Sequence, residues 1–104
     1  MAKSIMMPES AKYCWMCKYL DGNDFPKATE EHHAIGGWGK GGKTGLSEKY
    51  GLKVRLCLFH HRIGREAVHN NITLNRILQR AAQEAFEKEH PELDFIKIFG
   101  RSYK

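Results

Sequence analysis

The chain is poor in cysteine, with three among 104 residues. Small disulfide-stapled domains use even counts and oxidising compartments, so three thiols point instead to metal ligation or redox chemistry in a reducing one. Long apolar runs are also missing. No stretch approaches the ~20 apolar residues that cross a bilayer. The N-terminal sequence MAKSIMMPESAK offers only Ile5-Met6-Met7 before Pro8, too short for a secretory signal. These absences lead to the expectation of an intracellular, cytoplasmic protein with no membrane partner. Nothing marks a linker, a repeat or a second domain, so residues 1–104 are expected to form one domain.

Charge of one sign is in excess. Seventeen Lys and Arg against twelve Asp and Glu give a net +5 and a pI near 9.2, which suits a polyanionic partner such as nucleic acid. Apolar content of 41% is enough for a core, though a chain this short benefits from a staple. Residues 1–11 read as a loose arm, and Asp21-Gly22-Asn23-Asp24 as a turn. The chain around Glu30 to Ile35 reads as extended, ending at Gly36-Gly37. Gly36 to Gly45 is a basic glycine-rich loop whose only large apolar residue is Trp38. Leu52, Val54 and Leu56 alternate with Lys53 and Arg55, the period of a half-buried strand. Thr73 to Lys88 carries Leu74, Ile77, Leu78, Ala81, Ala82, Ala85 and Phe86 on one helical stripe, with Asn71 or Thr73 as cap. After Pro91, a short segment with Leu93, Phe95, Ile96, Ile98 and Phe99 is expected to dock and to stop at Gly100.

Cys14-Trp-Met-Cys17 is a CxxC and Cys57-Leu-Phe-His60 a CxxH. Two intervening residues let both side chains of a knuckle reach one ion, and two knuckles supply the four tetrahedral ligands of a Cys3His structural zinc site. Such a clamp closes a loop of roughly forty residues and offsets chain entropy that a small core cannot. A redox CxxC pair or ordinary buried thiols are the competing readings. The first lacks a βαβ context and leaves the matching CxxH unexplained.

Histidines cluster beside these elements, in Glu30-Glu31-His32-His33, His60-His61 and His69-Asn70-Asn71. Neighbours on a strand point to opposite faces, so His32 and His33 cannot share one role, and His61 is free if His60 turns to the zinc. A CxxC, then Glu-His-His, a glycine-rich loop, a strand and Leu-Cys-x-x-His-His resembles the HNH (ββα-metal, His-Me finger) endonuclease family. EEHHAIGG followed by SEKYGLKVRLCLFHHRIGREAVHNN is most similar to its small bacteriophage and prophage members. The likeness covers about Cys14 to Asn71 and extends weakly to the terminal FGRSY.

The resemblance implies an α+β fold: a ββα-metal core with zinc knuckles over 12–71, then an amphipathic helix and a short terminal helix over 72–104. It implies a metal-dependent endonuclease or nickase acting on nucleic acid, DNA first. His33 matches the general base, and His32 and His61 the ligands of a catalytic divalent metal. His60 stands where a fourth zinc cysteine is usual. Two imidazoles favour Mn²⁺, Ni²⁺, Co²⁺ or Zn²⁺, while Mg²⁺ would need waters and a substrate phosphate. The pattern's middle asparagine, which orients the base, is missing between His33 and Cys57; Ser47 or a loop backbone group is the stand-in expected.

His69 would lie about 12 Å from His61 on an unbroken helix. A break at Gly64 would bring it in as a third ligand or a phosphate contact; otherwise it is a surface histidine. Lys40, Lys43, Lys53, Arg55, Arg62 and Arg65 are the candidate phosphate contacts, which bind without sequence preference. For Arg62 a solvated helix face is the rival reading, and Trp38 either stacks on a base or packs on its own domain. A homodimer or a phage protein is a further expected partner. The function class that competes with the nuclease is a non-catalytic zinc module that binds nucleic acid or protein.

Overall fold

The computed structural model describes residues 3–36, 43–63, 65 and 67–104. Among them the chain forms seven elements: α1 (Trp15–Asp21), β1 (Glu30–His33), α2 (Thr44–Tyr50), β2 (Lys53–Leu56), α3 (Leu58–His61), α4 (Ile72–Glu89) and α5 (Phe95–Phe99). This is a small α+β fold with one two-stranded antiparallel sheet.

The sheet pairs Glu30 with Leu56, Glu31 with Arg55, His32 with Val54 and His33 with Lys53. Side chains alternate across a strand, so one face carries Glu30, His32, Val54 and Leu56. The other carries Glu31, His33, Lys53 and Arg55. Val54 and Leu56 are buried, as the alternation in the sequence predicts, but Lys53 is buried too, at 6% exposure.

The knuckles are helix starts. Cys14 is the N-cap of α1, its Sγ accepting from the Cys17 amide at 3.4 Å. Gly22 closes that helix in the left-handed conformation at φ 68°, where a side chain is unfavourable. Cys57 precedes the single turn of α3. Asn71 caps α4, its side chain accepting from the Leu74 amide. The stripe of α4 places Leu74, Leu78, Ala82 and Phe86 in the core. There Phe86 meets Phe95 with ring centroids 5.3 Å apart and Tyr50 at 5.1 Å, and Phe95 stacks on Phe99 at 4.5 Å. Those aromatic contacts hold α2, α4 and α5 together. Gly100 ends α5 at φ 88°, as its position predicts.

Three features depart from the sequence expectations. Residues 44–50, which include the end of the glycine-rich stretch, form α2. Of that stretch, 37–42, with Trp38 and Lys40, lies outside the described residues. The segment expected as a loose arm is docked along β2: Ile5 N–H donates to the Gly51 carbonyl at 3.0 Å, Ser4 Oγ to the Lys53 carbonyl at 2.6 Å, and the Arg55 amide to Met7 Sδ at 3.2 Å. Met7 is buried there, and the strand edge is covered rather than left to pair with another chain. Finally, Gln83, buried in α4, accepts from the Tyr103 amide at 2.6 Å and so ties the terminal FGRSY segment to the core.

Candidate metal centres

Cys14, Cys17, Cys57 and His60 converge, close enough to hold one metal ion. His60 Nδ1 lies 3.3 Å from Cys57 Sγ, 3.4 Å from Cys17 Sγ and 3.7 Å from Cys14 Sγ. Cys17 Sγ and Cys57 Sγ are 3.9 Å apart. Bonds of about 2.3 Å to sulfur and 2.0–2.1 Å to nitrogen at tetrahedral angles require edges of about 3.8 Å between sulfurs and 3.5 Å from nitrogen to sulfur. The three nitrogen–sulfur edges and the Cys17–Cys57 edge match those spacings to within about 0.2 Å. Burial, then the neighbouring Cys14 thiol, pushes the Cys17 thiol well above its ordinary pKa. Interaction with the Cys17 thiol chiefly raises the pKa of the Lys27 ammonium. Lys27 is a partner of this centre that sequence spacing did not reveal.

A second convergence joins His32 from β1, His61 from α3 and His69 from the turn before α4. Their ring centroids are 5.1 Å (His32 to His61), 5.1 Å (His32 to His69) and 4.9 Å (His61 to His69) apart. One ring nitrogen from each lies within 4.8 Å of the others. Arg62 caps α3, and the chain folds back. The Val68 amide donates to the His60 carbonyl at 2.7 Å, and Asn70 Nδ2 to the Arg62 carbonyl at 3.2 Å. That return seats His69 beside His61. Gly64, where a break was expected, lies outside the described residues.

The trio is electrostatically unusual. His32 Nε2 is buried and has no hydrogen-bond partner among the described residues. Burial first, and then the neighbouring His61, His69 and His33, pull the His32 pKa down to about 3. Burial and the charges of His61 and Arg62 also lower the pKa of His69. His61 Nδ1 donates to Glu30 Oε1 at 2.8 Å, an arrangement that puts the lone pair of the neutral ring on Nε2. Arg62 in turn binds Glu30, Nε to Oε1 at 3.0 Å and Nη2 to Oε2 at 2.6 Å. Arg62, then His61, hold the Glu30 carboxyl below its ordinary pKa. An orphaned buried nitrogen among three close imidazoles, one of them backed by a carboxylate, is a donor set suited to a borderline divalent metal.

His33 does not join this trio. It occupies the other sheet face, where its Nε2 donates to Glu48 Oε1 at 3.0 Å. Lys53 Nζ lies 2.7 Å from Glu48 Oε2 and 3.7 Å from Glu31 Oε2. Lys53, then His33, bring the Glu48 pKa down to about 2. Ser47, the expected stand-in for the missing asparagine, is turned away. Its hydroxyl donates to the Ile35 carbonyl at 2.5 Å and accepts from the Ile35 amide at 3.3 Å. Glu48, which sequence reasoning passed over, touches His33 instead.

The candidate phosphate contacts divide. Lys53 is buried in ion pairs with two carboxylates and Arg62 is committed to Glu30, so neither is a free cation. Arg55 and Arg65 are exposed, and Arg55 reaches Thr29 Oγ1 at 3.5 Å. Lys43 is half-buried, its Nζ close to Gly100. Among the described residues no helix is long and apolar enough to cross a membrane. No protein-family model, curated protein or solved structure matches the chain.

Proposed function

We propose that this chain is a metal-dependent endonuclease or nickase of the HNH type. In this reading it hydrolyses nucleic-acid phosphodiester bonds, DNA first, in the cytoplasm of a bacterial or phage-infected cell. The observation that carries the reading is the orphaned Nε2 of His32, buried against His61 and His69. A structural zinc module built on Cys14, Cys17, Cys57 and His60 has no need of three further imidazoles gathered beside it.

His32, His61 and His69 would hold a divalent ion such as Mn²⁺, Ni²⁺, Zn²⁺ or Mg²⁺. Such an ion supplies charge neutralisation at a phosphoryl group and at a departing oxygen. The chain's own groups do the rest. Glu30, by accepting from His61 Nδ1, fixes the neutral ring's tautomer with its lone pair on Nε2. His33, a quarter exposed, has its Nε2 tied to Glu48, so its Nδ1 lone pair is available to take a proton from water. His32 and His33 are consecutive and face opposite ways, so a substrate phosphate has to lie across the end of β1 to meet both. Among the described candidates, Arg55 and Arg65 are the exposed cations left for the nucleic-acid backbone, a contact without base preference.

The test is plasmid cleavage in Mn²⁺ or Mg²⁺ with His33→Ala and His32→Ala purified in parallel. Loss of the general base is expected to slow cutting roughly 10²–10⁴-fold. Equal residual cleavage by wild type and both variants refutes the nuclease. A second reading, a non-catalytic zinc module that binds nucleic acid or a phage protein, is favoured by the placement of His33 on the sheet face away from the trio. It predicts salt-sensitive binding without cutting.

A further inference from the structure

We infer that Glu48 is the positioning residue for His33, with Lys53 as its built-in counter-ion. The inference rests on the nuclease reading for its purpose, and on geometry for its substance.

Glu48 is delivered by a helix that both strand ends hold in place. Ser47, its neighbour, is fully buried and bonds Ile35 in both directions through its hydroxyl. The Ser47 carbonyl accepts from the Leu52 amide at 2.8 Å. Gly51, at φ 73°, closes α2 back onto Ser47 and Glu48. The chain leaving β1 and the chain entering β2 are thus both bonded to residue 47, and the backbone of residue 48 has little freedom.

The two carboxylate oxygens are then divided. Oε1 takes His33 Nε2 at 3.0 Å and Oε2 takes Lys53 Nζ at 2.7 Å. Lys53 is the direct cross-strand partner of His33, so the sheet register itself puts the lysine, the carboxylate and the imidazole side by side. An ionised carboxylate only accepts hydrogen bonds. The His33 ring must therefore carry its proton on Nε2, which turns the Nδ1 lone pair away from the pair. An asparagine could orient the ring in the same way. Glu31, His33 and Glu48 are close enough to hold a metal of their own. The Lys53 ammonium already sits against both carboxylates, so the cluster has its cation and works as a tether.

The experiment combines turnover with direct observation of the ring. In steady-state cleavage of an oligonucleotide, Glu48→Ala is expected to lower kcat roughly 10–100-fold, the usual cost of removing a group that orients another. KM should stay near wild type, and Glu48→Gln, which keeps an acceptor oxygen, should restore most of the loss. Long-range ¹H–¹⁵N spectra of the wild-type chain should give His33 as the Nε2–H tautomer, and Glu48→Ala should convert it to a mixture. Zinc content and melting temperature of each variant guard against misfolding, and the wild-type tautomer needs no variant at all. A wild type that cuts, with Glu48→Ala cutting at the same kcat, overturns the inference alone. An Nδ1–H tautomer in the wild type also overturns it. A wild type that never cuts but shows the Nε2–H ring overturns the nuclease reading, and with it the catalytic purpose of the tether.

Discussion

Replacing Cys17 with serine removes one corner of the Cys3His centre, and the structure sets the size of the effect. The centre joins Cys17 to Cys57 across 40 residues. Closing a loop of that length removes chain entropy from the unfolded state worth about 4 kcal/mol at 25 °C, on the estimate used for covalent cross-links. A chain of this size has a total stability of about 5–15 kcal/mol, so the clamp is a large part of it. For a domain near 100 residues, about 4 kcal/mol corresponds to a fall in Tm of at least about 15 °C. The assay is thermal unfolding of wild type and Cys17→Ser, with zinc counted per chain by elemental analysis. Wild type should carry one tightly held zinc and the variant none. Because burial keeps the Cys17 thiol protonated in the metal-free chain, zinc uptake must displace a proton, and affinity should fall as the pH is lowered. A zinc-free wild type melting within a few degrees of the variant would refute the clamp.

Gly51→Ala should cost about 2–3 kcal/mol in urea unfolding. A side chain there is strained at φ 73°, and its Cβ would collide with the Lys3 carbonyl, lifting the N-terminal segment from β2; a change within experimental error would mean that this segment is not docked. With zinc retained and no other divalent ion present, His32 should make stability fall as the pH drops below about 6.5. The unfolded histidine then takes up a proton that the buried one refuses until about 3, so stability is full above the unfolded value and is lost on the way down. At about 1.4 kcal/mol per pH unit, that is about 2 kcal/mol at most between pH 7 and pH 5. His32→Asn should flatten this part of the profile, and an unchanged profile would rule out the buried neutral imidazole.

What was legible in the sequence was local. Cys14 with Cys17 and Cys57 with His60 are three residues apart, so each knuckle is decided within one helical turn, and the spacing alone identified the set. The stripe of α4 follows from its period, and its cap from Asn71. The less legible parts depend on where the chain turns back. Whether His69 meets His61 is decided by the bond from Val68 to the His60 carbonyl, which no periodicity encodes. Residues 44–50 hide their helix because its apolar inward contacts are few, Leu46 and Tyr50, and stand beside polar ones: Ser47 on Ile35, and Glu48 on His33 and Lys53. Lys53 misled for the matching reason. Alternation marks it as solvent-facing, but Glu48 and Glu31 receive it. Ile5-Met6-Met7, judged only as too short a run for a signal, has the right length to cover one strand edge.

The two histidine-containing centres are ordered, one upon the other. α3 is a single helical turn, too short to hold itself, and its first centre fixes it at both ends: Cys57 leads into it, and His60 lies inside it. With His60 aimed at the three sulfurs, the next residue, His61, must leave the turn on another side, toward β1 and Glu30. The His60 carbonyl then receives the Val68 amide and brings His69 back. His32 is the only member of the trio placed by the sheet rather than by α3. Loss of a metal held by the Cys3His cluster would therefore free two of the trio's three imidazoles. Emptying the trio removes no ligand and no backbone bond from the sulfur-ligated centre. On this arrangement a metal held by the Cys3His cluster would be the scaffold of the candidate second site, and the dependence would run in one direction.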